Sequence, residues 1–180
     1  LKLLEALHSN GMDQIVLCPG SRSAPLALAA VGLAQQQKLS LKTCIDERSA
    51  AFFALGISTA TGRASVVITT SGTAVGELLP AAIEADRSCQ PLIFITADRP
   101  FRLKNCGANQ TVNQEDFLRS VCRSYEQGPL DGFHEISQSN LRNLVETTWE
   151  SANDLRGPVH LNLPLEEPLY PSLFEQDQVD

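Results

Sequence analysis

A doubly wound α/β domain built on a mainly parallel, six-stranded sheet is the fold class that this sequence predicts. Three observations predict it. The short apolar runs IVLC (15–18), SVVI (65–68) and LIFI (92–95) are continuous rather than alternating, as strands buried on both faces are. Helical patterns separate them. Gly, hydroxyl and charged residues gather after the strands, which is where open α/β sheets bind ligands.

The elements follow in order along the chain. LKLLEALHSN (1–10) reads as an amphipathic helix closed by Gly11. DQIVLC (13–18) is a strand and APLALAAVGLAQQQ (24–37) a helix. LKTCI (41–45) is a strand, followed by ERSAAFFALGISTATG (47–62), a helix ending at Gly62. ASVVITT (64–70) is a strand, and TAVGELLPAAIEADR (73–87) reads as one helix despite Pro80. PLIFITA (91–97) is a strand, with a loop-rich stretch at 98–116 behind it. SVCRSYEQ (120–127) is a weaker strand, SQSNLRNLVETTWESAND (137–154) a clear amphipathic helix, and GPVHLNLP (157–164) the last strand.

The 180 residues are enough for one domain with a proper core. The net charge of −7 is uneven: residues 165–180 hold five acids and no base, leaving 14 bases against 16 acids in the body. Residues 1–164 therefore read as the domain and 165–180 as an acidic, Pro-containing linker. The chain starts at Leu1 rather than Met, which reads as a fragment with its native N-terminus missing. A nearly neutral body offers no basic face for nucleic acid. No run of about 18 apolar residues spans a membrane, and the first helix is too polar for a signal peptide. The five cysteines (18, 44, 89, 106, 122) have no metal-ligand spacing. They imply a reducing, cytoplasmic compartment without structural disulfides.

Four loops carry the chemistry: PGSRS after the first strand, DERS after the second, SGT after the third and ADRP after the fourth. In PGSRSAP (19–25), backbone amides with Ser21 and Ser23 suit an anion, and Arg22 suits a carboxylate. A plain turn with Ser23 capping the next helix explains the same residues. In SGT, Gly72 permits close approach of a ligand, and Ser71 or Thr73 is a candidate cap. ADRPFRLKNCGANQ (97–110) gathers more donors than a fold requires, and its polar end singles out Arg99, Asn109 and Gln110. Arg102 and Lys104 read as solvated or structural. His8, His134 and His160 do not cluster, and His160 reads as a packed or hydrogen-bonded strand residue. No metal-ligating set is visible. Asp46 is the natural cap of the DERS helix, which makes Glu47 partly redundant as a stabiliser. Helix-dipole acid and proton-managing acid both remain open for it.

In this order, PGSRS, DERSAAFFALG, TTSGTAV, ITADRP and NCGANQ resemble the N-terminal, pyrimidine-binding domain of thiamine-diphosphate-dependent enzymes. Among these, residues 1–168 are similar to the family of 2-succinyl-5-enolpyruvyl-6-hydroxy-3-cyclohexene-1-carboxylate synthases of menaquinone and phylloquinone biosynthesis. The resemblance implies that Glu47 is catalytic and hydrogen-bonds N1′ of the cofactor's aminopyrimidine ring, favouring the imino tautomer that removes the thiazolium C2 proton. It makes Ser71, Gly72 and Thr73 cofactor-binding, and Ser21, Arg22, Arg99, Asn109 and Gln110 substrate-binding. The reaction implied is decarboxylation of 2-oxoglutarate and addition of the succinyl unit to isochorismate. The active site would lie at a subunit interface of a homo-oligomer. The diphosphate and Mg²⁺ would be held by a domain with a GDG motif. No GDG occurs here, so this fragment alone is expected to be inactive. Another thiamine enzyme, of acetolactate synthase or decarboxylase type, and a non-catalytic α/β binding module are the alternatives.

Overall fold

The computed structural model describes residues 1–130 and 136–170. His134 and the last ten residues of the expected linker lie outside them. The six strands are β1 (Gln14–Leu17), β2 (Ser40–Thr43), β3 (Ser65–Thr69), β4 (Leu92–Asp98), β5 (Ser124–Gln127) and β6 (Pro158–Pro164). They form one sheet in the order β2-β1-β3-β4-β6-β5, and every pairing is parallel. The register runs straight across the middle, with Val16 opposite Val67, Val67 opposite Phe94 and Phe94 opposite His160.

The helices are α1 (Lys2–Ser9), α2 (Ala24–Gln35), α3 (Glu47–Thr61), α4 (Thr73–Gly76), α5 (Leu79–Arg87) and α6 (Gln138–Asn153). Strand alternation sorts the core into two layers. Ile15, Leu17, Val66, Ile68, Ile93 and Ile95 pack against α1, α2 and α6. Val16, Cys18, Val67, Leu92 and Phe94 pack against α3 and α5. A sheet covered on both faces is what the continuous apolar runs demand.

One expected element is corrected. Residues 73–87 are two helices, because Pro80 lacks an amide hydrogen and is tolerated only in a first turn, and it sits at the start of α5. Gly62, at φ 72°, closes α3 as expected. All five cysteines are free.

The strand order sets the location of any site. After β1 the chain adds β2 on one side and then returns to add β3 on the other. Such a reversal opens a crevice outside the carboxyl ends of the strands. A second reversal, at β4, β6 and β5, lies beside it.

Candidate active site at the carboxyl edge of the sheet

Leu17, Thr43 and Ile68 share a register line, so PGSRS, DERS and SGT leave the sheet from one edge. Asp46 caps α3: its Oδ1 accepts the Ser49 amide at 2.7 Å. The Ser49 hydroxyl and amide hold the Asp46 carboxyl below its usual value. Glu47 is therefore free of capping duty. It begins α3, is half-buried rather than fully buried, and takes no hydrogen bond from the described residues. Its position shows in its effect on Cys18, at the end of β1. Burial, and next the Glu47 charge, push that thiol up to about 12. The carboxylate thus lies near the end of β1, at the carboxyl edge of the sheet, with its acceptor capacity unused.

The PGSRS loop packs tightly onto the strand beside it. A side chain at Gly20 would overlap Thr70, so only glycine lets the two loops close. Ser21 is exposed. Ser23 occupies the cap position of α2, but its hydroxyl donates back to the Gly20 carbonyl at 3.1 Å, and the expected cap is not formed. Arg22 is only 5% exposed. One of its terminal nitrogens, Nη1, donates to the Leu165 carbonyl at 2.8 Å, and Nη2 donates to Glu167 Oε1 at 3.2 Å. Its Nε is buried without a partner.

The SGT loop is clasped to GANQ. Ser71 Oγ donates to the Gln110 carbonyl at 2.9 Å, and Gln110 Nε2 donates to the Ser71 carbonyl at 3.1 Å. Arg99 Nη1 donates to the same Ser71 hydroxyl at 2.6 Å. Neither Ser71 nor Thr73 caps α4. Gly72 takes the cap position at φ 84°, and a Cβ there would come within 2.9 Å of Gln110 Cγ. Asn109 is adjacent but exposed, and its side chain joins no hydrogen bond among the described residues. Burial, then the Arg22 charge, pull the Arg99 guanidinium below its usual value, with Asp98 and Glu167 opposing. Arg22 and Arg99 therefore share one electrostatic neighbourhood. The structure brings Arg22, Ser71, Arg99 and Gln110 together, with Glu47 on the next loop.

Beside this open part lies a closed polar network that sequence reasoning missed. Gln114, fully buried, accepts the Gly72 amide at 2.9 Å and donates to the Ala97 carbonyl and Asn162 Oδ1. Thr96 Oγ1 donates to Asn162 Oδ1 and bonds His160 Nε2 at 2.7 Å. Asn162 Nδ2 donates to Asp98 Oδ2. Lys104, read as solvated or structural, is structural: its Nζ meets Asp98 at 2.9 Å and Glu115 at 2.7 Å. Burial alone would lower its pKa, but those two carboxylates raise it. Arg102 pairs with Glu166 at the surface. His160 is a packed strand residue as expected, and burial pulls its pKa down to about 3. A signal existed: polar residues stood inside the otherwise apolar runs LIFITAD and PVHLNLP.

Residues 2–118 match the family model described as "Thiamine pyrophosphate enzyme, N-terminal TPP binding domain". The chain belongs to this family. It is 64% identical over 98% of its length to the 2-succinyl-5-enolpyruvyl-6-hydroxy-3-cyclohexene-1-carboxylate synthase of Synechococcus sp. (strain WH7803). It is 60% identical over 99% of its length to the synthase of the same name from Prochlorococcus marinus (strain NATL1A). In both comparisons the chain spans about 30% of the relative's length.

The residues present fit the family's cofactor. A half-buried carboxylate without a donor among the described residues stands at the carboxyl edge of the sheet at Glu47, and Thr69 Oγ1, at the end of β3, is buried without a partner. Spare acceptors of this kind suit a ring bearing N–H groups. Among the described residues no group of three His, Cys, Asp or Glu gathers to hold a metal ion.

Proposed function

We propose that this chain is the pyrimidine-side domain of a synthase that decarboxylates 2-oxoglutarate and adds the succinyl unit to isochorismate. The observation that carries this reading is the pairing of one open carboxylate, Glu47, with two neighbouring guanidiniums, Arg22 and Arg99, on a single sheet edge. An enzyme for small, uncharged-tail substrates has no use for two cations there. Polycarboxylate substrates do.

The bound cofactor supplies the carbanion chemistry at its thiazolium ring. Glu47 holds the proton shared with the aminopyrimidine N1′, and its place at the first turn of α3 keeps the carboxylate at the carboxyl edge of the sheet. The Ser71–Gly72–Thr73 loop would bind the ring, and the missing side chain at Gly72 lets Gln110 pack against that loop. Arg22 and Arg99 bind substrate carboxylates, while Ser21, Asn109 and Gln110 supply further polar contacts. The diphosphate and its Mg²⁺ would be held by a GDG-bearing domain of the full-length protein.

The face around Glu47 supports an active site shared between subunits. Ile45 is 85% exposed, and Phe52 and Phe53 on α3 are also exposed, an apolar patch that suits burial against a partner. No helix among the described residues is long and apolar enough to cross a membrane, in keeping with a cytoplasmic enzyme.

The test is product analysis with the full-length protein, thiamine diphosphate, Mg²⁺, 2-oxoglutarate and isochorismate. The expected product is the succinylated, conjugate-addition adduct of isochorismate, formed with release of carbon dioxide. Condensation of pyruvate without use of isochorismate would place the chain in an acetolactate-synthase-type enzyme instead.

A further inference from the structure

Among the described residues the buried Arg22 guanidinium has one carboxylate on it, and that carboxylate belongs to the chain itself. Glu167 Oε1 accepts from Nη2 at 3.2 Å, with Glu167 68% exposed and Arg22 5% exposed. The contact is one-handed. Nε and Nη2 lie along the same side of a guanidinium and together match the two oxygens of a carboxylate. Here Nη2 is engaged while Nε is buried and idle. Nη1 is held separately by the Leu165 carbonyl at 2.8 Å, which anchors the side chain whatever happens on the other edge.

Among the described residues the other nearby carboxylates are already hydrogen-bonded elsewhere, which leaves Glu167 as the loosely held one. Asp98 is spent on the Arg99 amide, Asn162 and Lys104. Glu166 is spent on Arg102. Arg99 forms no ion pair among the described residues and feels Arg22, then Asp98 and Glu167. Two cations and one loosely held, mostly solvated acid make a subsite that an incoming carboxylate can enter by exchange. Glu167 itself is mostly solvated, so it is readily rehydrated on release, and because Arg22 is buried its charge must be met by the incoming carboxylate in exchange rather than left alone. A bidentate substrate carboxylate on Nε and Nη2 replaces a single long contact with two.

We propose that Glu167 is a specificity-determining placeholder: it occupies the free edge of Arg22 and yields that edge to a carboxylate of the substrate. The inference rests on the reading of Arg22 and Arg99 as substrate-binding. Glu167 thereby sets a threshold, since a ligand that presents no carboxylate cannot displace it.

The experiment uses the full-length protein with thiamine diphosphate and Mg²⁺, and compares Glu167→Gln, Glu167→Asp and Arg99→Ala for KM and kcat with 2-oxoglutarate and with isochorismate. Glu167→Gln should lower the KM of one substrate about 2- to 5-fold, the scale of an ion pair solvated on one side, with a smaller change in kcat. Glu167→Asp retains the charge and should stay closer to the parent. Arg99→Ala should raise the KM of at least one substrate. If Glu167→Gln raises or leaves unchanged both KM values while Arg99→Ala raises one, the placeholder is overturned and the site reading stands. If Arg99→Ala moves neither KM, the site reading itself falls and takes the placeholder with it.

Discussion

Two stretches of the same sheet edge, a few strands apart, treat polar side chains in opposite ways. Over β4 and β6 most buried groups satisfy one another, His160 Nδ1 being left without a partner. Gln114 makes three hydrogen bonds, Asn162 joins Thr96, Gln114 and Asp98, and Lys104 bridges two carboxylates. Over β1, β2 and β3 the groups are left with capacity. Glu47 accepts no hydrogen bond among the described residues, Thr69 Oγ1 and Arg22 Nε have no partners, and the Arg22 charge is met by one exposed acid. A buried polar group stabilises a fold only when its bonds are made. The closed stretch is therefore scaffold, and the open stretch is where a ligand completes the chemistry.

The largest expected effect breaks the open side alone. Glu47→Gln in the full-length protein keeps the size of the side chain and removes its capacity to share a proton. Turnover of 2-oxoglutarate should fall about 10²- to 10⁴-fold, the range of a lost proton-transfer group, with the melting temperature unchanged. Near-normal turnover, or a large loss of stability, would erase the distinction between the two stretches.

Next comes the closed side. Gln114→Ala removes the side-chain partner of the Gly72 amide and of the Ala97 carbonyl, and one of the two donors to Asn162 Oδ1. Leaving buried groups unpaired should cost about 3 kcal/mol, read as lost hydrogen-exchange protection along β4 and β6. Unchanged protection would show that water replaces the glutamine without penalty, and that this stretch is less closed than its geometry says.

The last comparison concerns acid, and at any one pH near neutrality its effect is small. The folded-state pKa of His160 is lowered from 6.5 to about 3, chiefly by burial. Between those values the unfolded chain binds a proton that the folded chain refuses, so its contribution is intact above pH 6.5 and is lost as pH falls toward 3. Each pH unit in that window should cost up to about 1.4 kcal/mol. His160→Phe should flatten the acid limb of local stability measured by hydrogen exchange on β6. An identical acid limb in this variant would mean that His160 protonates without opening the strand.

How much of this was legible follows physical lines. The all-parallel, doubly covered sheet was legible because continuous apolar runs have few other uses. Asp46 was legible as a cap because its bond to Ser49 spans three residues. Ser23 and Thr73 were misread for the opposite reason: what their loops do is decided by contacts with Gly20 and Gln110, which propensity does not contain. Gln114 was missed because its partners come from residues 72, 97 and 162, which only folding brings together.

By itself the sequence determined the strand and helix periodicities, the placement of chemical residues after strands, and the motif order that marks the family. The tertiary structure decided which of those residues are spent and which are open. Arg22 and Lys104 look alike as cations in a loop. Lys104 is closed between Asp98 and Glu115, whereas Arg22 is buried with Nε idle and one exposed acid on Nη2. Charge is written in composition, but its satisfaction depends on partners more than 140 residues away in the chain, such as Leu165 and Glu167.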